Sequence, residues 1–219
     1  MNYLYDVSVL VVLFAVYGYT HSVLASNRFK VFIKKYVGRY IALYRLFFNF
    51  IALLGLYLIW EFGPHPSLLI YELIYPYDLI VYGLQLLSLA GIFWCFKYIC
   101  FKEFLGLAQF NRFLNNTYDE NELDEQMTFR NLGPYKFSRH PVYLFSILFL
   151  LFRPEMNLFY LTMFISFVIY FYIGSVYEEK KLVELFGEDY VDYQKRVSRI
   201  FPVKVFSKIS GLKSVKESL

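Results

Sequence analysis

The sequence predicts an all-α, multi-pass transmembrane helix bundle of about five spans, followed by an amphipathic cytoplasmic helix. Three observations carry that expectation. The 219-residue chain is 58% hydrophobic and 22% aromatic, with only 18% charged residues, which is too apolar for an ordinary soluble domain. Its apolar residues gather in runs near the roughly 20 residues that a bilayer-spanning helix needs. The connections between these runs differ sharply in charge, as expected for loops on opposite sides of a membrane.

Four clear runs occupy about 4–25, 40–60, 78–101 and 155–177, and a fifth, 140–152, is shorter. Arg153-Pro154 would let that short run form the first arm of a tight hairpin into the next segment. The first run lacks a basic leading region and a small-residue cleavage site before Arg28, so it reads as a retained span. Residues 26–39 carry Arg28, Lys30, Lys34, Lys35 and Arg39 without an acid, whereas 61–78 carry Glu61, Glu72 and Asp78 without Lys or Arg. The 178–219 tail holds nine Lys and Arg. The positive-inside rule therefore predicts a cytoplasmic first loop and tail and an outside N-terminus, which requires an odd number of spans. All 219 residues are read as a single integral-membrane domain.

Two further segments complete the chain. The connection at 102–139 contains an acidic patch, Asp119 to Glu125, that reads as a solvated loop. In the tail, Leu182, Leu185, Phe186, Tyr190, Tyr193 and Val197 recur at spacings of three and four, the stripe of a helix with one buried face. Gly187 interrupts that helix at some cost, and the lysine-rich end after Pro202 reads as a frayed, membrane-surface terminus. Cys95 and Cys100 form no CxxC motif and read as apolar packing residues.

The polar residues near the ends of the spans carry the functional signal. Arg139-His140 opens one apolar run, and Glu178-Glu179 follows the next. On the expected topology these four share one membrane face with His21, Arg45, Asn49 and Gln109, and ionisable groups near a bilayer generally pair or line a cavity. Each also has a plainer explanation. Arg45 can snorkel to the interface, Arg139-His140 can anchor a helix on the inside, and the two glutamates suit the first turn of the tail helix. The sequence has no GxGxxG or P-loop pattern. Its three histidines lie on separate segments without metal-ligand spacing, so neither a metal nor a nucleic-acid partner is expected.

The ordered set Gly133-Pro134-Tyr135, Arg139-His140-Pro141, Tyr143, Glu178-Glu179-x-x-Leu182, Phe186-Gly187, Tyr190, Tyr193, Val197 and Pro202 resembles the isoprenylcysteine carboxyl methyltransferase and phospholipid methyltransferase superfamily. In the first half, His21-Ser22-Val23-Leu24-Ala25-Ser26, Tyr44-Arg45-Leu46, Asn49 and Leu105-Gly106-Leu107 with Gln109 resemble its methanethiol S-methyltransferase and NnrU-like branch. The resemblance implies a membrane enzyme that transfers a methyl group from S-adenosylmethionine. It further implies a bacterial inner membrane and, as acceptor, a small thiol, a lipid or another lipophilic molecule. Carried over by position, Tyr135, Arg139, His140, Pro141, Tyr143, Glu178 and Glu179 would bind the cofactor, with Gln109 and Tyr190 beside them. No catalytic residue is singled out; Glu179, Arg45 and His21 are the candidates.

Arg139 or His140 suits the cofactor carboxylate, a glutamate its ammonium or ribose hydroxyls, and tyrosine faces its adenine and sulfonium. The sequence departs from the isoprenylcysteine type by having Gly174-Ser175-Val176-Tyr177 where an arginine tends to precede the acidic pair. Two other readings remain open. One is a nicotinamide-dependent membrane reductase, since sterol reductases share an Arg-His-Pro-x-Tyr element; here, however, Leu144-Phe145 follow that tyrosine. The other is a non-catalytic NnrU-like membrane protein.

Overall fold

Asn2 starts the first helix by accepting a 3.3 Å hydrogen bond from the Tyr5 amide, one of the donors that a helix start leaves unpaired. The computed structural model describes residues 2–121, 123 and 128–204. Helix α1 (Tyr3–Ala25) ends at Ser26, whose hydroxyl caps α2 (Asn27–Val37) by accepting from the Phe29 amide at 3.3 Å. A 3₁₀ turn over Gly38–Leu43 leads into α3 (Tyr44–Phe62), so the second expected span begins four residues later than its apolar run. Strand β1 (Leu69–Glu72) precedes α4 (Tyr77–Phe96). The short helices α5 (Phe101–Leu105) and α6 (Leu107–Leu114) then fill part of the long connection. After a second 3₁₀ turn, Gly133–Lys136, come α7 (Pro141–Leu151), β2 (Glu155–Asn157) and the 39-residue α8 (Leu158–Arg196). β1 and β2 form a two-stranded sheet that the apolar pattern of the sequence does not signal.

The molecule is helical and membrane-integral. Among the described residues, four stretches are long and apolar enough to cross a bilayer: Tyr3–Ala25, Asn27–Phe62, Tyr77–Phe96 and Leu158–Arg196. The expected fifth span is α7, whose 11 residues reach roughly 16 Å, about half of a hydrocarbon core. Two expected boundaries are corrected. The run at 78–101 stops being helical at Phe96, because the chain turns at Lys97 and Tyr98, whose amides bond to Trp94 O and Cys95 O. The tail helix does not begin afresh at 178 but continues the last span, and the break falls at Gly187 (φ 55°, ψ −135°).

Chain contacts divide the protein into two compact units. The first comprises Met1–Ile70, Ile99–Thr128 and Met156–Ser166. Its core includes Ile41, Tyr44 and Phe48, packed with Leu24, Phe29, Ile33, Tyr118 and Leu123. Tyr118 and Leu123 bracket part of the acidic patch, so this connection is tied down rather than wholly solvated; Glu122 and residues 124–127 lie outside the described residues. Lys34 and Arg39 reinforce the tie by donating to Asn121 (3.2 Å) and Asn116 (2.7 Å).

The second unit comprises Tyr71–Tyr98, Phe129–Glu155 and Phe167–Leu219, with the end of the tail after Lys204 outside the described residues. Gln85 on α4 donates to Phe149 O on α7 at 3.1 Å. Gly133 sits at φ +57°, and a Cβ there would fall 2.2 Å from the Tyr98 ring. We expect G133A to destabilise the protein by roughly 2–4 kcal/mol, combining left-handed strain with overpacking. A thermal midpoint in detergent matching that of the unaltered chain would remove this account of the turn.

Candidate functional site

The site in the second unit starts from a backbone pairing. Ser138 and Ser198 form a parallel bridge, with the Arg139 amide donating to Ser198 O and the His140 amide to Arg199 O, both at 2.9 Å. The Ser138 hydroxyl adds a 3.2 Å bond to Arg199 O. Pro141, fully buried, then starts α7 at a position where a missing N–H costs nothing. The bridge thus holds Arg139 and His140 against the segment that follows α8, while α8 itself supplies Glu178 and Glu179.

Glu179, whose side chain is 3% exposed, is the centre of the cluster. Arg139 grips it with two N–H groups, Nε to Oε1 at 2.7 Å and Nη2 to Oε2 at 3.0 Å, the bidentate geometry of a strong charge-assisted pair. Gln194 Nε2 (3.0 Å) and Arg199 Nε (3.2 Å) also donate to Oε2, and His140 Nε2 lies 3.2 Å from Oε1. The remaining Arg139 nitrogen donates to Gln194 O at 2.9 Å and Val197 O at 2.6 Å. Arg139 is therefore consumed by the protein itself, pinning the end of α8 to the start of α7.

Glu178 differs from its neighbour. Its side chain is 43% exposed; Tyr143 Oη donates to it at 3.1 Å and His140 Nδ1 lies 3.3 Å away. Both His140 ring nitrogens thus face carboxylate oxygens, and only the imidazolium can donate from both. His140 lies one residue before α7, outside the spans. Burial disfavours its charge, but the hydrogen bonds it donates to Glu178 and Glu179, with their negative charges, outweigh that and hold its pKa above the ordinary value.

Because the folded-state pKa is raised, the stabilisation from this imidazolium is complete below about 6.5 and is lost as pH climbs through the folded pKa. Thermal midpoints across pH 5–9 should show that decline, and H140Q should lack it. An identical pH slope in the variant would contradict a charged His140.

Aromatic rings frame the cluster. His140 stacks on Tyr143 (centroids 5.2 Å, 7°), and Tyr143 stacks on Phe171 (4.9 Å, 15°). Tyr135 gives its carbonyl to Tyr193 Oη at 2.5 Å, and burial pushes its own hydroxyl up to about 12. Tyr190 packs with Phe129, Tyr193 and Val197, so its ring serves the core of this unit.

The other expected site residues fall in the first unit. His21 lies between the rings of Tyr17 (5.8 Å) and Phe48 (4.6 Å). Arg45 Nε donates to Phe104 O at 2.9 Å, while Asn49 Nδ2 donates to Phe104 O at 3.2 Å and Leu105 O at 3.1 Å. These are carbonyls that the end of α5 leaves unpaired, so the two side chains cap that helix. Gly106 follows at φ +89°, where a Cβ would approach Arg45 Cβ and Leu46 N to 3.0 Å. R45M should consequently cost about 1–2 kcal/mol of stability, read as a lowered thermal midpoint; no shift would rule out the capping role. Gln109 donates to Glu103 O at 3.2 Å, and its buried Oε1 has no hydrogen-bond partner among the described residues.

Gln194 and Arg199 are the participants that sequence reasoning missed. They sit among Lys195 and Arg196 in a basic tail, and only the 138–198 bridge distinguishes them.

The chain is 33% identical over 198 residues, 87% of its length, to methanethiol S-methyltransferase 1 of Bradyrhizobium diazoefficiens. This similarity supports the resemblance to the methanethiol S-methyltransferase and NnrU-like branch of the isoprenylcysteine methyltransferase superfamily. Two further relatives match shorter stretches. The methanethiol S-methyltransferase of Pseudomonas deceptionensis is 41% identical over 75 residues, 34% of this chain and 29% of that protein. That of Pseudomonas sp. strain GM41(2012) is 30% identical over 117 residues, 52% of this chain and 45% of that protein. The chain covers 65% of the Bradyrhizobium protein, and so spans less than two thirds of the length of the curated relatives it matches. No family model and no solved structure matches it.

Proposed function

We propose that this protein is an S-adenosylmethionine-dependent membrane methyltransferase whose acceptor is a small thiol. The observation that carries the proposal is the similarity to a methanethiol S-methyltransferase over 87% of the chain. The donor set fits such a cofactor. Glu178 is half-exposed and keeps acceptor capacity for an ammonium or ribose hydroxyls.

When bound, the cofactor supplies an electrophilic methyl group on a positively charged sulfur. The chain's own residues hold and orient. The Arg139–Glu179 pair fixes the backbone around the site, His140 holds Glu178 in place, and the Tyr143 ring buttresses His140. Positioning the acceptor sulfur in line with the methyl group accounts for most of the rate, and a thiol needs little help to lose its proton. We place the cofactor side on the cytoplasmic face of a bacterial inner membrane, following the basic first loop and tail.

Purified protein mixed with S-adenosylmethionine and methanethiol should form dimethyl sulfide, measured in the headspace. No product, together with a thermal shift from NADPH and none from S-adenosylhomocysteine, would favour the reductase. No response to either ligand would favour the non-catalytic alternative.

A further inference from the structure

We infer that Arg199, braced on the ring of Tyr172, is the anion-binding arm of the ligand site and takes a carboxylate in tandem with Glu178, which takes the ammonium of the same amino-acid group. The inference rests on the methyl-donor reading above and adds to Glu178, which the sequence marked, a partner in Arg199, which it did not.

Two imbalances in the cluster lead to Arg199. The first is in hydrogen bonds. Six nitrogens converge on Glu179: two each from Arg139 and Arg199 and one each from His140 and Gln194. A carboxylate offers about four acceptor positions, so donors are in surplus. Arg139 has the shortest bond of the set and is locked by two backbone carbonyls besides. Both Arg199 contacts, by contrast, lie at 3.2 Å, and its side chain is 31% exposed against 8% for Arg139.

The second imbalance is in charge. With His140 as imidazolium, Arg139, His140 and Arg199 set three positive charges against the two of Glu178 and Glu179. The cluster therefore has room for one more anion. Arg199 can offer it N–H groups that bond to nothing among the described residues.

The surroundings favour a planar anion at this place. The Arg199 guanidinium lies 5.5 Å over the Tyr172 ring, which is itself exposed and limits the orientations of the fork. The Arg199 backbone is fixed by the bridge to Ser138 and His140, so the arm swings from a rigid base. His140 couples the two ends of the proposed pair, touching Glu178 with one nitrogen and Glu179, the present partner of Arg199, with the other. A free α-amino acid group carries the complementary charges on one carbon, whereas nicotinamide and adenine carry neither.

The test measures binding of S-adenosylhomocysteine and of its decarboxylated analogue to the full chain in detergent, for the unaltered protein, R199M and R199K. R199M should weaken S-adenosylhomocysteine about 10- to 100-fold and leave the decarboxylated analogue nearly unchanged, as expected for one lost charge-assisted pair. R199K should fall between, keeping the charge but not the fork. Equal weakening of both ligands, or of neither, would overturn the assignment of Arg199. If the unaltered protein binds neither ligand, the methyl-donor reading fails first and takes this inference with it. Thermal midpoints of each variant identify misfolding, and a well-folded R199K then decides the matter alone.

Discussion

E179A is expected to be the most damaging single substitution in the protein, lowering stability by about 3–5 kcal/mol. Glu179 is nearly inaccessible and accepts from two arginines, a histidine and a glutamine. Removing it leaves Arg139 buried and half unpaired, with His140 and Arg199 repelling it. The loss should appear as poor recovery from the membrane and a sharply lower thermal midpoint, with or without ligand. E179Q keeps the shape and some acceptor capacity, so it should fall between the unaltered chain and E179A. An E179A protein as stable as the original would mean that this centre does not hold α7 and α8 together.

E178Q should behave in the opposite manner. The adjacent glutamate is 43% exposed and makes two contacts, to Tyr143 and His140, that an amide can largely keep. Its thermal midpoint should therefore stay close to that of the unaltered chain. On the proposed function, affinity for S-adenosylhomocysteine should nevertheless drop about 10- to 100-fold, because the lost negative charge is the one assigned to the ligand ammonium. On that proposal the two neighbouring acids divide structural and binding duties, and the pair of substitutions separates them. Intact affinity in E178Q would move the ammonium site elsewhere.

This division marks the limit of what the sequence makes legible. Long apolar runs announce membrane spans because bilayer thickness sets their length, and the helices starting at Tyr3, Tyr44, Tyr77 and Leu158 follow those runs closely. The ends are less readable. The helix from Tyr77 stops at Phe96 although the apolar run continues, because the chain turns there and the Tyr98 ring fills the space beside Gly133. Arg139, His140, Glu178 and Glu179 stand out as costly polar residues at the ends of apolar runs, and the structure brings those four together.

Which glutamate is buried cannot be read from two identical letters in a row. That depends on the rotation of α8 and on where Gln194 and Arg199 return. Their return in turn depends on the bridge between Ser138 and Ser198, a pairing of backbones that no side-chain pattern encodes. Arg45 shows the converse. It is a candidate for chemistry in the sequence, and in the structure its guanidinium caps the end of α5 at Phe104 O.

The central claim is that this chain holds a methyl donor through its amino-acid end and delivers the methyl group to a small thiol. The most direct measurement uses S-adenosylmethionine labelled in the transferred methyl group, methanethiol and purified protein in nanodiscs, with quantification of labelled dimethyl sulfide. The account predicts label in dimethyl sulfide that depends on both reactants and falls steeply in E178Q. Folded protein that binds S-adenosylhomocysteine yet transfers no label to the thiol would contradict the acceptor, and folded protein that does not bind it would contradict the claim as a whole.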